Sequence, residues 1–169
     1  MSVEEHRREA PVSVRCMVIT VSDSRTEETD ESGPMIRQLL SEAGHVIADY
    51  RIVKNNYHAI RELLMEAMER TDVEVIMLSG GTGISRQDTT YEAVTSMLDK
   101  EMPGFGELFR YLSFSEEIGP AAMLSRAVAG TMKKTAVFAM PGSKQAVRLA
   151  MTRLIIPELG HVMREISKD

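Results

Sequence analysis

Between an apolar segment, Val73–Leu78, and a helical pattern that begins at Tyr91 lies Ser79-Gly80-Gly81-Thr82-Gly83-Ile84-Ser85-Arg86-Gln87-Asp88-Thr89-Thr90. A glycine-rich turn from strand to helix exposes backbone N–H groups that can bond phosphate oxygens. Gly80, Gly81 and Gly83 carry no Cβ, so an anion can approach the chain closely. Asp88 places one carboxylate beside that pocket, where a phosphate-bound cation would sit. Arg86 adds a charge of the sign that neutralises phosphate. Spacing excludes two standard phosphate motifs. No Gly-Lys-Ser/Thr follows, and Arg86 stands where a dinucleotide fingerprint needs its third glycine. The plainer reading of the glycines is a tight turn, and of Asp88 an acid favoured by the dipole of the next helix.

Two further polar turns follow apolar strands. Ser22-Asp23-Ser24-Arg25 comes after the first strand, and Pro141-Gly142-Ser143-Lys144 after Thr135–Met140. Ligands of open α/β sheets gather at the carboxyl ends of the strands, so three such turns at one edge define a single candidate site. Singly, Asp23 reads as a turn residue, Ser143 as a helix cap and Lys144 as a solvated charge. Together they favour a ligand. The four histidines, His6, His45, His58 and His161, lie far apart in sequence and form no metal motif, and no paired-cysteine spacing occurs. No Gly-x-Ser-x-Gly signals a serine hydrolase.

The elements that would hold these turns are legible from hydrophobic pattern. Val14–Val21 is a near-continuous apolar run that fits a strand buried on both faces. Pro34 suits a first helical turn, Ile36, Leu39, Leu40 and Ala43 give an apolar stripe, and Gly44 suits the cap. Val46–Val53 reads as a second strand. Asn56 caps a helix with Ile60, Leu63, Leu64, Ala67 and Met68 on one face. After the glycine loop, Thr89 and Glu92 have capping-box spacing before Val94, Met97 and Leu98. Phe105 to Leu112 suggests another helix, and Gly119-Pro120 starts a short one through Arg126. Ala127–Met132 and Thr135–Met140 pair across Lys133-Lys134, the second being the more central. A helix follows Ser143, and Pro157 opens a last one to about Ile166. This order predicts an α/β fold, a three-layer α/β/α sandwich with a mostly parallel sheet.

The 169 residues suit one domain, taken as 12–169, after a mobile tail at 1–11. A net charge of −5 argues against broad nucleic-acid binding. Cys16, alone in the chain, excludes an internal disulfide and reads as a buried thiol. No apolar stretch is long enough to span a bilayer, and the first eleven residues do not read as a signal peptide. The expectation is therefore a cytoplasmic protein with no membrane partner. The 13 methionines read as fillers of core gaps.

The same segments carry a family resemblance. Thr20-Val21-Ser22-Asp23, Ser79-Gly80-Gly81-Thr82-Gly83, Asp88-Thr89-Thr90, Pro103-Gly104-Phe105-Gly106-Glu107, Leu112-Ser113-Phe114, Leu124-Ser125-Arg126-Ala127 and Met140-Pro141-Gly142-Ser143 occur in that order. With them the chain resembles the MoaB/MogA family of molybdenum cofactor biosynthesis proteins over about Val14–His161. Glu117-Ile118-Gly119 and Pro157–His161 look more like the MoaB branch.

The resemblance implies the MogA-like fold, assembly as homotrimers or homohexamers, and molybdopterin as substrate. It also implies Mg²⁺ and ATP, adenylylation of the pterin's terminal phosphate, and molybdenum-insertion proteins as further partners. Carried onto this chain, Asp88 would act in catalysis and hold the metal. Ser22, Asp23, Ser79, Gly80, Gly81, Thr82, Gly83, Arg86, Glu107, Ser125, Pro141, Gly142, Ser143 and Lys144 would bind substrate. Asn55 stands where active members often have an acid, and an amide oxygen ligates a cation without the negative charge. The alternatives are a molybdopterin-binding protein without adenylyltransferase activity, and a nucleotide-phosphate hydrolase on the same fold.

Overall fold

The computed structural model describes residues 2–10 and 13–168. Its centre is a six-stranded sheet in the order β2-β1-β3-β6-β5-β4, built from β1 (Arg15–Val21), β2 (Val46–Val53), β3 (Val75–Ser79), β4 (Lys100–Glu101), β5 (Val128–Met132) and β6 (Thr135–Met140). β2, β1, β3 and β6 run parallel, and β5 and β4 close one edge antiparallel. β5 and β6 form a hairpin through Lys133, whose φ is +52°.

Strand alternation divides the core into two layers. Cys16, Val18, Val75, Met77, Phe138 and Met140 face one side. There they meet α2 (Ser32–Glu42), α5 (Pro103–Ser113), α6 (Lys144–Ala150) and α7 (Ile156–Ser167). Met17, Ile19, Ile76, Leu78, Val137 and Ala139 face the other. There they meet α3 (Tyr57–Glu69) and α4 (Thr90–Thr95). This is the expected α/β sandwich around a mostly parallel sheet. Cys16 is fully buried, and burial pushes its thiol up to about 12, so it is an inert core group.

Three local expectations change. Val3–Glu9, read as part of a mobile tail, forms a helix, α1, capped by Ser2 and Glu5 and packed on α7. Arg7 bonds Glu158 and Arg164 bonds Glu9 across that contact. Met1 and Pro11 of the expected tail, and Val12 and Asp169 of the expected domain, lie outside the described residues. The capping box at α4 does not form. Thr89 makes no side-chain cap; its N–H and hydroxyl both face Asn55 Oδ1, and the Glu92 carboxylate pairs with Arg126. Finally, α6 and α7 join through a π-helical turn, Met151–Ile155, into one rod that starts at the Ser143 cap.

Candidate functional site

The parallel strands β1, β3 and β6 end side by side, so Ser22, Gly80 and Pro141 leave the same edge of the sheet. The last pair is locked together: the Gly80 N–H donates to the Met140 carbonyl at 2.9 Å. Gly80 has φ +98°, and a Cβ there would lie 2.4 Å from the Val21 carbonyl oxygen. Only glycine fits that crossing. Its N–H is thus spent on the fold, against the expectation that it would serve a ligand. The N–H groups of Gly81, Thr82 and Gly83 donate to no acceptor among the described residues.

A cavity of about 330 Å³ joins the glycine loop to the β6–α6 turn. Gly81, Thr82, Gly83 and Asp88 line one side, Pro141, Gly142 and Ser143 the other, and Ser125 and Leu124 close it. Phe109 and Ile118 give it an apolar wall. Polar donors on two turns beside an apolar wall suit a ligand with an anionic end and a flat organic body.

Asp88 is held in place by its own loop. Its Oδ2 accepts from the Ser85 hydroxyl at 2.7 Å and from the Ser85 N–H at 3.1 Å. A Cβ on Gly83 would come within 2.7 Å of that oxygen. Oδ1 accepts no hydrogen bond among the described residues. One carboxylate oxygen anchored and one unpaired, with no nitrogen or sulfur donor in the loop, is a donor set suited to a hard cation such as magnesium.

The loop's keystone is Arg126, to which sequence reasoning assigned no role. Its Nε donates to the Gly83 carbonyl at 2.9 Å and its Nη2 to the Asp88 carbonyl at 3.1 Å. Its own N–H donates to the Thr82 carbonyl at 2.9 Å. The guanidinium also pairs with Glu92 and lies 5.2 Å over the Tyr91 ring. Arg126 holds the Glu92 carboxyl below the usual carboxylate range. Five donors in a rigid fork make arginine the residue for such a clamp. A signal was present in the ordered Ser125-Arg126-Ala127 match, but nothing in it pointed to the loop.

The remaining candidates do not all converge. Ser22 Oγ accepts from the N–H groups of Ser24 and Arg25, a turn within its own corner. Asp23 Oδ1 accepts from the Asn55 N–H at 2.9 Å, which joins the β1 and β2 corners. Asn55 Oδ1 in turn lies 3.4 Å from both the N–H and the hydroxyl of Thr89. None of these residues lines the cavity, although Asn55 Oδ1 would lie 3.1 Å from a Cβ on Gly81, which does. Ser79 is fully buried against Ser32 at 3.2 Å and is part of the scaffold. Arg86 and Lys144 are exposed and line no wall of the cavity. Glu107 lines a second cavity of about 420 Å³ with Arg110 and Arg126, and Ser125 borders both.

The family model for the probable molybdopterin binding domain matches residues 17–161. The chain belongs to this family. Within the molybdopterin-binding-domain family, the chain is 62% identical to molybdenum cofactor biosynthesis protein B of Halalkalibacterium halodurans, over all of this chain and 99% of that one. A crystal structure of a molybdenum cofactor biosynthesis protein B superposes with a TM-score of 0.92 at 52% identity, covering 95% of this chain and 100% of the other. The tungsten cofactor synthesizing protein MoaB from Pyrococcus furiosus superposes at 0.83 with 36% identity, covering 94% and 100%. The resemblance drawn from motifs to the MoaB branch is therefore sound.

Proposed function

We propose that the chain binds molybdopterin in the cavity between the glycine loop and the Pro141–Ser143 turn, and adenylylates its terminal phosphate with ATP. An oxygen of the pterin phosphate attacks the α-phosphorus of ATP. The bond from that phosphorus to the β-phosphate oxygen breaks, and pyrophosphate leaves. What supports this is one recess with unspent N–H groups at Gly81–Gly83 and a half-free Asp88 carboxylate on its wall. Such a reaction needs two polyanions held close and aligned, with their charge offset. The N–H groups of the loop would hold phosphate, and the Ser125 and Ser143 corner would orient the pterin against the Phe109 wall. Asp88 would hold magnesium, which when bound offsets charge on the polyphosphate.

The setting we infer is a cytoplasmic homo-oligomer, trimer or hexamer, that passes its product to molybdenum-insertion proteins. No helix among the described residues is long and apolar enough to cross a membrane. Leu108, Tyr111, Phe114, Ile118 and Met123 are all about half exposed or more, an apolar surface suited to a second copy.

A second reading has its own observation. Asn55 offers an amide near Thr89 where a carboxylate would add charge, which favours a protein that binds molybdopterin without turning it over. Incubation with molybdopterin and Mg-ATP, native protein beside Asn55→Asp, decides between them. Pyrophosphate and adenylylated pterin from the native protein support the transferase. Tight pterin binding with turnover only in Asn55→Asp supports the binding protein. Metal-dependent phosphate release from nucleotide without pterin would displace both.

A further inference from the structure

Away from the pterin cavity, the docked N-terminal helix brings together two histidines that the sequence keeps 155 positions apart. Among the described residues, His6 of α1 and His161 and Glu165 of α7 point one ligand atom each at a common space, all within 4.8 Å of one another. His6 Nδ1 is 3.3 Å from His161 Nε2 and 2.9 Å from Glu165 Oε1, and His161 Nε2 is 3.6 Å from the same oxygen. Those three separations bracket the edge of a tetrahedron with ligand bonds of about 2.0–2.1 Å, which is about 3.3 Å. His161 and Glu165 are one helical turn apart, so they form one rigid half of the set.

The surrounding hydrogen bonds prepare the nitrogen for a metal. Glu158 Oε2 lies 2.8 Å from His161 Nδ1. A proton held on Nδ1 leaves Nε2 as a lone pair facing inward, the carboxylate–histidine arrangement that supports metal-bound imidazoles. Lys168 Nζ bonds both oxygens of Glu165, at 2.9 and 3.0 Å, so it can keep Oε2 while Oε1 turns to the metal. Arg164 lies 3.8 Å from Oε1, and Arg7 pairs with Glu158. These cations offset the two carboxylates and limit the affinity of the set for hard, oxygen-seeking ions. His161 and Glu165 also line a cavity of about 530 Å³, large enough to hold the water that would complete the set.

We propose that His6, His161 and Glu165 form a zinc-class transition-metal site that fastens the N-terminal helix to α7, with Glu158 orienting His161. Two imidazoles and one carboxylate oxygen in a tetrahedral array select zinc-like ions over magnesium or calcium. The site is independent of the pterin chemistry.

The test uses tag-free full-length protein stripped with chelator and titrated with Zn²⁺, and with Co²⁺ as a spectroscopic probe. One Zn²⁺ per chain is expected, with a tetrahedral Co²⁺ absorption band that Zn²⁺ quenches. His6→Ala and His161→Ala each weaken binding by roughly 100-fold or more, and Glu158→Gln by about 10-fold. Zn²⁺ raises Tm in the native protein and not in His6→Ala. Because His6 lies on a peripheral helix, its variant keeps the native circular dichroism spectrum. Zn²⁺ binding equal in native protein and His6→Ala would overturn the site. So would an octahedral Co²⁺ spectrum, or the absence of stoichiometric binding in the native chain.

Discussion

Arg126 Nε donates to the Gly83 carbonyl at 2.9 Å from a position 43 residues further along the chain. The glycine loop therefore owes its shape to a residue that follows α5 in the chain. The carbonyls of Thr82, Gly83 and Asp88 all accept from Arg126, so these three acceptors are occupied by the clamp.

Arg126→Lys keeps the charge and loses the fork. We expect it to cost about 1–3 kcal/mol of stability and to weaken pterin binding more than a surface substitution of equal stability cost. Chemical denaturation and pterin titration on the same samples check this. Unchanged pterin affinity would show that the loop keeps its shape without the clamp.

Asp88→Asn retains an oxygen that can accept from Ser85, and it removes the charge. The fold should stay native while adenylylation falls by roughly 10²- to 10³-fold. Pyrophosphate release and the unfolding midpoint report the two effects separately. Native turnover in this variant would remove the Asp88 charge from the chemistry.

Gly80→Ala forces a side chain into a left-handed conformation and against the Val21 carbonyl, 2.4 Å away. The expected loss is about 2 kcal/mol or more, seen as a lower Tm. Gly104→Ala is the control, since nothing lies within 4 Å of a Cβ there.

Asp30 gives the fold an acid limit. Its carboxyl is buried, which alone would raise its pKa, but hydrogen bonds from Tyr50, Thr20, Gly33 and Ser32 outweigh that and hold it below the usual range. The sign follows from the lower folded value. The stabilisation is present above the unfolded value of about 4 and is lost as pH falls through the folded one. Asp30→Asn should be less stable at neutral pH by about 2 kcal/mol, and its deficit should shrink below about pH 4. Equal deficits at pH 7 and pH 2.5 would count against this account.

Local pattern made most of the scaffold readable. Val46–Val53 has the bounds that its alternation predicts, and Asn56, Gly44 and Ser143 sit at the helix ends where their chemistry places them. The three polar corners do share one sheet edge, although only the second and third share the cavity. What stayed hidden is non-local. β4 is two charged residues, Lys100–Glu101, with no apolar signal of their own. Asp30 looks like any loop acid until β2 brings Tyr50 over it. Arg126 and His6 are ordinary polar residues until long-range packing selects their partners. A short-range rule also failed where distant partners competed: Thr89 faces Asn55 and Glu92 pairs with Arg126, and no capping box forms.

β6 lies between β3 and β5, so the wall opposite the glycine loop comes from Pro141–Ser143, more than fifty residues downstream. A growing polypeptide has no closed recess until Pro141–Ser143 have been made. A product truncated before Met140 thus lacks the wall opposite the glycine loop, however well its first three strands pair.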